Sequence, residues 1–589
     1  MKAPPPQPFY FGPPGEGLFA WLHRPATGDC GLGLVICNPF GFEEVCAHRS
    51  LRHIAIGAAE AGVPSLRFDY AGCGNSEGDE FEPQRFAHWL GSVHRAVDAL
   101  KQASGVTQVC LLGVRLGASL ATLAALERDD VAALIAIAPV VRGRAYLREL
   151  TILGEAGAKA LPERRGQEGL LESAGFVLTA ETSASLGEMD LRMLPRAPAP
   201  RVVIVERDDM PAAANWAPEL ERLGAQVKVV AWPGYAAMMR DPQRSQVPRQ
   251  IVEGVLACLA EWRGAAAAPA ATAARVPGSE ALVRGRLRET AVHVTTGVSP
   301  LFGVLTREEG EGAQPAVLML NSGSVHHIGP NRLWVRLARD WAGRGVTVLR
   351  LDISGIADSP PQPGAEENVV YSRQAASDVA AALAYLRSLG ATECHAMGLC
   401  SGGYHALKAA MAGQDIASAT MVNPLTFYWK EGTQMSDLKD YEVSGLAAKF
   451  RSKLFTTTSW KKLLRGKVDV RIVAQVAWRR LWSFVYPHAL ELARVLHLPL
   501  RNDLARDLGS TARKGVRLQF IFAENAPGFE LLEKQGGQAI HRLVARRQAT
   551  LDFVPGADHT FTRIDAREQL VALLNARVRD ELVRPAARA

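Results

Sequence analysis

The stretch Gly398-Leu399-Cys400-Ser401-Gly402 sets a cysteine at the centre of a glycine-x-nucleophile-x-glycine spacing. That spacing suits a sharp strand-to-helix turn. The glycines permit close backbone contact, and the turn presents the central side chain. A thiol at the start of a helix meets the positive end of the helix dipole, which favours thiolate and hence nucleophilic attack. A buried cysteine in an ordinary glycine turn is the plainer alternative. Ser401, next in sequence, would point elsewhere from the same turn.

The elements that would hold Cys400 are legible on both sides. Cys394, Ala396 and Met397 fit a short buried strand, and Tyr404 to Met411 reads as a helix. The whole arrangement occurs twice. Residues 32–76 and 315–359 align at a constant offset, setting Asn38 opposite Asn321, Arg49 opposite Arg332, Asp69 opposite Asp352 and Ser76 opposite Ser359. Further on, Gly113 and Gly117 face Gly398 and Gly402, and Ala138-Pro139 faces Asn423-Pro424. So long a period indicates a repeated domain rather than a solenoid unit.

The Ala- and Pro-rich run 263–279 reads as a linker. It divides the chain into domains at 1–262 and 280–589. Within each, short apolar runs such as LGLVICN, QVCLLG and RVVIVE alternate with helical spacing, the pattern of a parallel sheet flanked by helices. GLCSGGYHA, LRLDISGIADS and PGADHTF make the chain resemble the α/β-hydrolase superfamily, in its branch of serine-aminopeptidase-like hydrolases and acyltransferases. The resemblance runs twice over nearly the whole chain. The expected fold class is therefore α/β, with two tandem α/β-hydrolase domains and a helical lid at about 426–512 in the second.

The resemblance implies roles for further residues. His559, on the loop after the apolar run LDFV, takes the place of the base. The acid is expected after VRLQFIFAENAPG, but Ala526-Pro527-Gly528 stands where the family shows an Asp-Pro-Gly-like loop. Glu524 is the nearest substitute, with Asp558 a weaker one. The oxyanion hole is expected from the N–H of Ser401 and that of Ser322. His326 and His327, near that loop, are candidates for substrate contact, with no metal or cofactor expected.

In the first domain Arg115 occupies the nucleophile position and Ala237 the position facing His559. Arginine stays protonated and cannot attack a carbonyl, so this domain reads as catalytically silent. Asp208 or Asp209 would be a remnant acid. Arg115 could hold an anion or close a salt bridge in a filled pocket.

Related enzymes with a cysteine at this turn often act on thioesters. The expected activity is acyl transfer or hydrolysis on a thioester carried by coenzyme A or an acyl carrier protein, through an acyl-Cys400 intermediate. A non-catalytic scaffold binding an acyl chain or a protein is the alternative, and a plain ester or lactone hydrolase a further one.

From Arg451 to Arg480 there are nine Lys or Arg and one acid, Asp469, with Trp460, Trp478 and Trp482 within or beside the stretch. A solvated cap face, a docking surface for a carrier phosphate, a membrane-surface helix and a nucleic-acid contact compete to explain it.

Composition sets the outer limits. The 589 residues are 48% apolar and 22% charged, enough for two full cores and ordinary for a globular protein. A net charge of +7 is mild at this length and calls for no nucleic-acid partner. The eight cysteines are scattered, with no CxxC pair to suggest zinc or disulfides. With no signal-like or membrane-spanning run, a cytoplasmic location is expected.

Overall fold

The computed structural model describes residues 3–26, 31–158, 169–209, 213–263, 278–310, 313–430, 494, 496, 500–524 and 526–582. Most of the expected linker, nearly all of the expected lid and the basic stretch 451–480 lie outside the described residues. Among those described, no helix is long and apolar enough to cross a membrane. The chain forms two compact units, Met1–Thr392 with Thr560–Ala589, and Glu393–His559.

In the first unit, strands form where apolar residues run continuously. They are β1 (Gln7–Phe11), β2 (Leu18–His23), β3 (Leu32–Cys37), β4 (Ser65–Phe68), β5 (Gln108–Val114), β6 (Val131–Ile137), a hairpin of β7 (Leu171–Ser173) and β8 (Phe176–Leu178), then β9 (Arg201–Val205) and β10 (Gln226–Val230). All but the hairpin make one sheet, ordered β1-β2-β4-β3-β5-β6-β9-β10. It is antiparallel at β1/β2 and β2/β4 and parallel from β4 onward. Side chains alternate between two cores. Val35, Leu66 and Leu111 pack with Trp89, Val93 and Leu116, while Leu34, Ile36 and Leu112 pack with Ile54, Ile251 and Val255. Burial on both faces explains why these strands read as unbroken apolar runs.

The same unit holds β11 (Ala281–Arg284), β12 (Leu287–Val294), β13 (Leu301–Glu308), β14 (Ala316–Leu320) and β15 (Thr347–Leu351), ordered β11-β12-β13-β15-β14. The order β12-β13-β15-β14 repeats that of β1-β2-β4-β3. The second unit holds β16 (Cys394–Leu399), β17 (Ser418–Val422), β18 (Arg517–Ala523) and β19 (Ala549–Val554), all parallel and in that order. Both halves of the chain are thus α/β, as the alternating pattern predicts.

The compact units do not divide at 263–279. The opening strands of the second half pack on the first half instead. Trp21 and Phe302 meet with ring centroids 4.5 Å apart, within a cluster that includes Tyr10, Phe19 and Leu282. Arg67 pairs with Asp358 at 2.9 Å, and Arg52 and His53 share Glu367.

Candidate active site

β16 runs straight into Cys400, whose backbone sits at φ 57°, ψ −114°, and the helix Ser401–Met411 follows at once. A positive φ is unfavourable for a residue with a Cβ and persists only where surroundings enforce it. Here the Cys400 N–H donates to the Val422 carbonyl at 2.8 Å, and its carbonyl accepts from the Tyr404 N–H. A Cβ on Gly398 would lie 2.5 Å from the Gly402 Cα, so the turn leaves no room for a side chain at Gly398. Cys400 itself is 7% exposed.

Arg115 repeats the geometry. It follows β5 at φ 53°, ψ −122° and precedes the helix Leu116–Leu126. Its N–H donates to the Ile137 carbonyl. The guanidinium is held by Glu43 at 2.6 Å and by Glu149, over the ring of Tyr146. Burial opposes its charge, but Glu43 and the other acidic groups around it outweigh that and raise its pKa further. Of the two roles the sequence allows Arg115, the salt bridge is realised.

His559 follows β19 in the same unit as Cys400. The residue is half-buried, but its Nε2 is enclosed and has no hydrogen-bond partner among the described residues. Burial lowers its pKa to about 4 against the opposing charge of Asp558, so the resting ring is neutral. Its carbonyl accepts from Asn423 Nδ2 at 2.8 Å, while Asn423 Oδ1 accepts the Ala523 N–H at 2.7 Å. Asn423, at φ 45°, thereby ties the ends of β17 and β18 to the histidine loop. Sequence reasoning aligned Asn423 with Ala138 but gave it no role. Ala138 at φ 48° shows that the position needs a left-handed backbone, which asparagine tolerates better than most residues.

Glu524 is exposed, and its Oε2 accepts the Gly556 N–H at 3.2 Å. It thus braces the turn ahead of His559, and no described bond joins it to the imidazole. In the first half Asp208 does the same work, accepting the Gly234 N–H at 2.8 Å and the Ala236 N–H at 2.9 Å. The candidate base, His559, is therefore a neutral ring with no described carboxylate bonded to it.

His326 and His327, the candidates for substrate contact, make their described contacts within the first unit. His327 Nδ1 lies 2.9 Å from Asp352 and its Nε2 2.9 Å from Asn75 Nδ2. His326 stacks on His48, with centroids 4.2 Å apart and planes at 11°. Burial brings His326 down to about 3. In His48, Asp358 and Glu44 outweigh burial and raise it to about 10. The stack therefore pairs a neutral ring with a cationic one.

Glu44, His48 and His326 are close enough to consider as metal ligands, as are His327, Asp352 and Asp358. Parallel stacked imidazoles, however, direct their lone pairs side by side rather than at one point. In the second group the side chains already satisfy one another, Arg67 and Asn321. Ser322 is buried in the first unit, on a loop where its carbonyl accepts the Val325 N–H and Asn321 bonds Asp352. Ser401 is the first residue of the helix after Cys400.

The family model for serine aminopeptidase, S33, matches residues 45–179. This is the part of the chain that carries Arg115 rather than Cys400. Est1E from Butyrivibrio proteoclasticus, solved with ferulic acid bound, is 23% identical over 43% of this chain and 98% of its own, with a TM-score of 0.33. A putative hydrolase from Agrobacterium vitis S4 is 18% identical over 44% of this chain and 100% of its own, at 0.32. Proline iminopeptidase from Mycobacterium smegmatis is 17% identical over 44% and 98%, at 0.32. The search of curated proteins found no match. The fold is α/β, and residues 45–179 are similar to the serine aminopeptidase, S33, family.

Proposed function

We propose that the second half is a cysteine-dependent acyl-transfer enzyme acting on thioesters, and that the first half is its catalytically silent repeat. The observation that supports this most is the backbone of Cys400, held in the left-handed region between β16 and its helix, with a neutral histidine on the loop after β19 of the same unit.

The chemistry follows from those groups. The Cys400 sulfur attacks the thioester carbonyl carbon while His559 Nε2 accepts the Sγ proton. The carbonyl electron pair moves onto oxygen, where the Ser401 N–H at the helix start stabilises it. When the carbonyl re-forms, the carbon–sulfur bond to the leaving thiol breaks, and imidazolium returns its proton to that thiol. Acyl-Cys400 remains. Water, an amine or an alcohol then attacks it, with His559 again taking and returning the proton. A thioester is a well-matched donor because thiol–thioester exchange is nearly balanced.

Hydrolysis of a simple ester or lactone is the second reading, favoured by the serine aminopeptidase match. The two differ in the ratio of kcat/KM for hexanoyl-coenzyme A to that for p-nitrophenyl hexanoate. A ratio well above one is expected. Ester turnover at Cys400 with no thioester turnover would replace the thioester reading with the ester one.

A further inference from the structure

A cavity of about 570 Å³ lies in the first unit. That is within the range of about 300–1,000 Å³ common for small-molecule sites. No residue lining it belongs to the unit that holds Cys400. It sits beside the loops that follow β3 and β4. In parallel α/β sheets, ligands bind beyond the carboxyl ends of the strands.

Its walls are apolar on one side. Phe40, Trp89, Phe176, Leu116 and Leu120 line it, with Phe40 centred 5.4 Å from Trp89 and 6.2 Å from Phe176. Six arginines and six carboxylates also line it, and several of them pair with one another or with neighbours. Glu80 pairs with Arg567, Glu568 with Arg336, and Arg339 with Glu289. Arg85 and Arg332 also line the cavity, and among the described residues neither forms an ion pair with a carboxylate. Arg332 spends its donors on the carbonyls of Gly72, Gly74, Ser76 and Gly78. Burial, with Arg339 close by, lowers its pKa to about 10.

Arg85 is 4% exposed and lies over Trp89 at 4.9 Å and Phe40 at 5.6 Å. Its Nη1 donates to the carbonyls of Val177, at 2.8 Å, and Glu80. The other edge, Nε with Nη2, is the one that grips a carboxylate side-on. There Nη2 has only the Cys73 sulfur at 3.8 Å, and Nε is buried with no partner among the described residues. A buried donor left unbonded is costly, and a ligand oxygen would satisfy it.

We propose that this cavity binds a small apolar carboxylic acid, its carboxylate on the Nε and Nη2 edge of Arg85 and its hydrocarbon or aromatic body against Phe40, Trp89 and Phe176. A planar carboxylate matches two parallel N–H donors, and the apolar wall excludes a ligand that is polar throughout. The unit that lacks Cys400 would thus carry a carboxylate site of its own.

Calorimetric titration of the full chain with octanoate, and with octanamide as its neutral isostere, tests this. Octanoate should bind roughly tenfold or more tightly than octanamide, and Arg85→Gln, which removes both the charge and the fork, should remove that preference. A second measurement needs no variant. Cys73 lines the cavity, so saturating octanoate should slow its alkylation in the wild-type protein about fivefold or more, since bound ligand covers the sulfur. Equal binding of the two probes would overturn the proposal. So would an alkylation rate at Cys73 that octanoate leaves unchanged.

Discussion

Arg115 and Cys400 share one backbone conformation, φ 53°, ψ −122° and φ 57°, ψ −114°, each between a buried strand and the first turn of a helix. Only the side chain differs. The turn that would present a nucleophile is built twice. In the first half it presents a guanidinium that Glu43 and Glu149 hold in place. A Cβ on Gly113 or Gly117 would lie within 2.5 Å of neighbouring backbone, so the close packing of the turn is kept in both halves.

Arg115→Ala should leave acylation at Cys400 unchanged and lower stability. Breaking a buried pair costs up to about 3–5 kcal/mol, but Glu149 is 38% exposed and recovers solvation, so about 1–3 kcal/mol is expected. Urea unfolding together with acyl loading measures both. Loss of loading in a variant that still folds would place Arg115 in a working site.

Asn423 should matter more to turnover than Glu524. Asn423→Ala removes the bonds to the His559 carbonyl and the Ala523 N–H, which positions the base less well. A fall in kcat of roughly tenfold or more with little change in KM is expected, since misplacing a catalytic group acts on the chemical step. Glu524→Gln loses one exposed bond to Gly556, and kcat should change by less than about threefold. The reverse ranking would restore Glu524 as the acid that orients the ring.

The contrast between these two residues shows where sequence reading reaches. The turn at Cys400, with its strand and helix, depends on local spacing and was legible. The role of Asn423 depends on a bond to His559, 136 residues away, which no local pattern records. The contacts of His326 and His327 were hidden for the same reason. Their partners His48 and Asn75 lie in the other half of the chain, and only the packing of the two halves within one unit brings them together. Glu524 stood in the expected stretch, but which way its carboxylate turned was not written in the sequence.

The pH profile should carry the signature of a buried base. His559 accepts a proton only while neutral, and burial has lowered its pKa to about 4. Acylation should therefore persist as pH falls through the ordinary histidine range near 6.5 and decline only toward about 4. An acid limb of kcat/KM near 6.5, absent in His559→Gln, would mean that the ring is solvated or paired with a carboxylate in the working enzyme.

Among the cysteines, limiting iodoacetamide should modify Cys400 first. Burial pushes Cys37 up to about 12 and raises Cys46, Cys73, Cys110 and Cys258 as well, so these thiols react slowly. Inactivation should track labelling at Cys400 alone. Activity that survives complete alkylation of Cys400 would make its sulfur dispensable.

Intact-mass spectrometry after brief incubation with hexanoyl-coenzyme A tests the nucleophile itself. The wild-type chain should gain one hexanoyl group, and peptide mapping should place it on Cys400. Ser401→Ala should still acquire it and Cys400→Ala should not. An acyl group carried by Ser401, or turnover that continues in Cys400→Ala, would contradict catalysis through an acyl-cysteine.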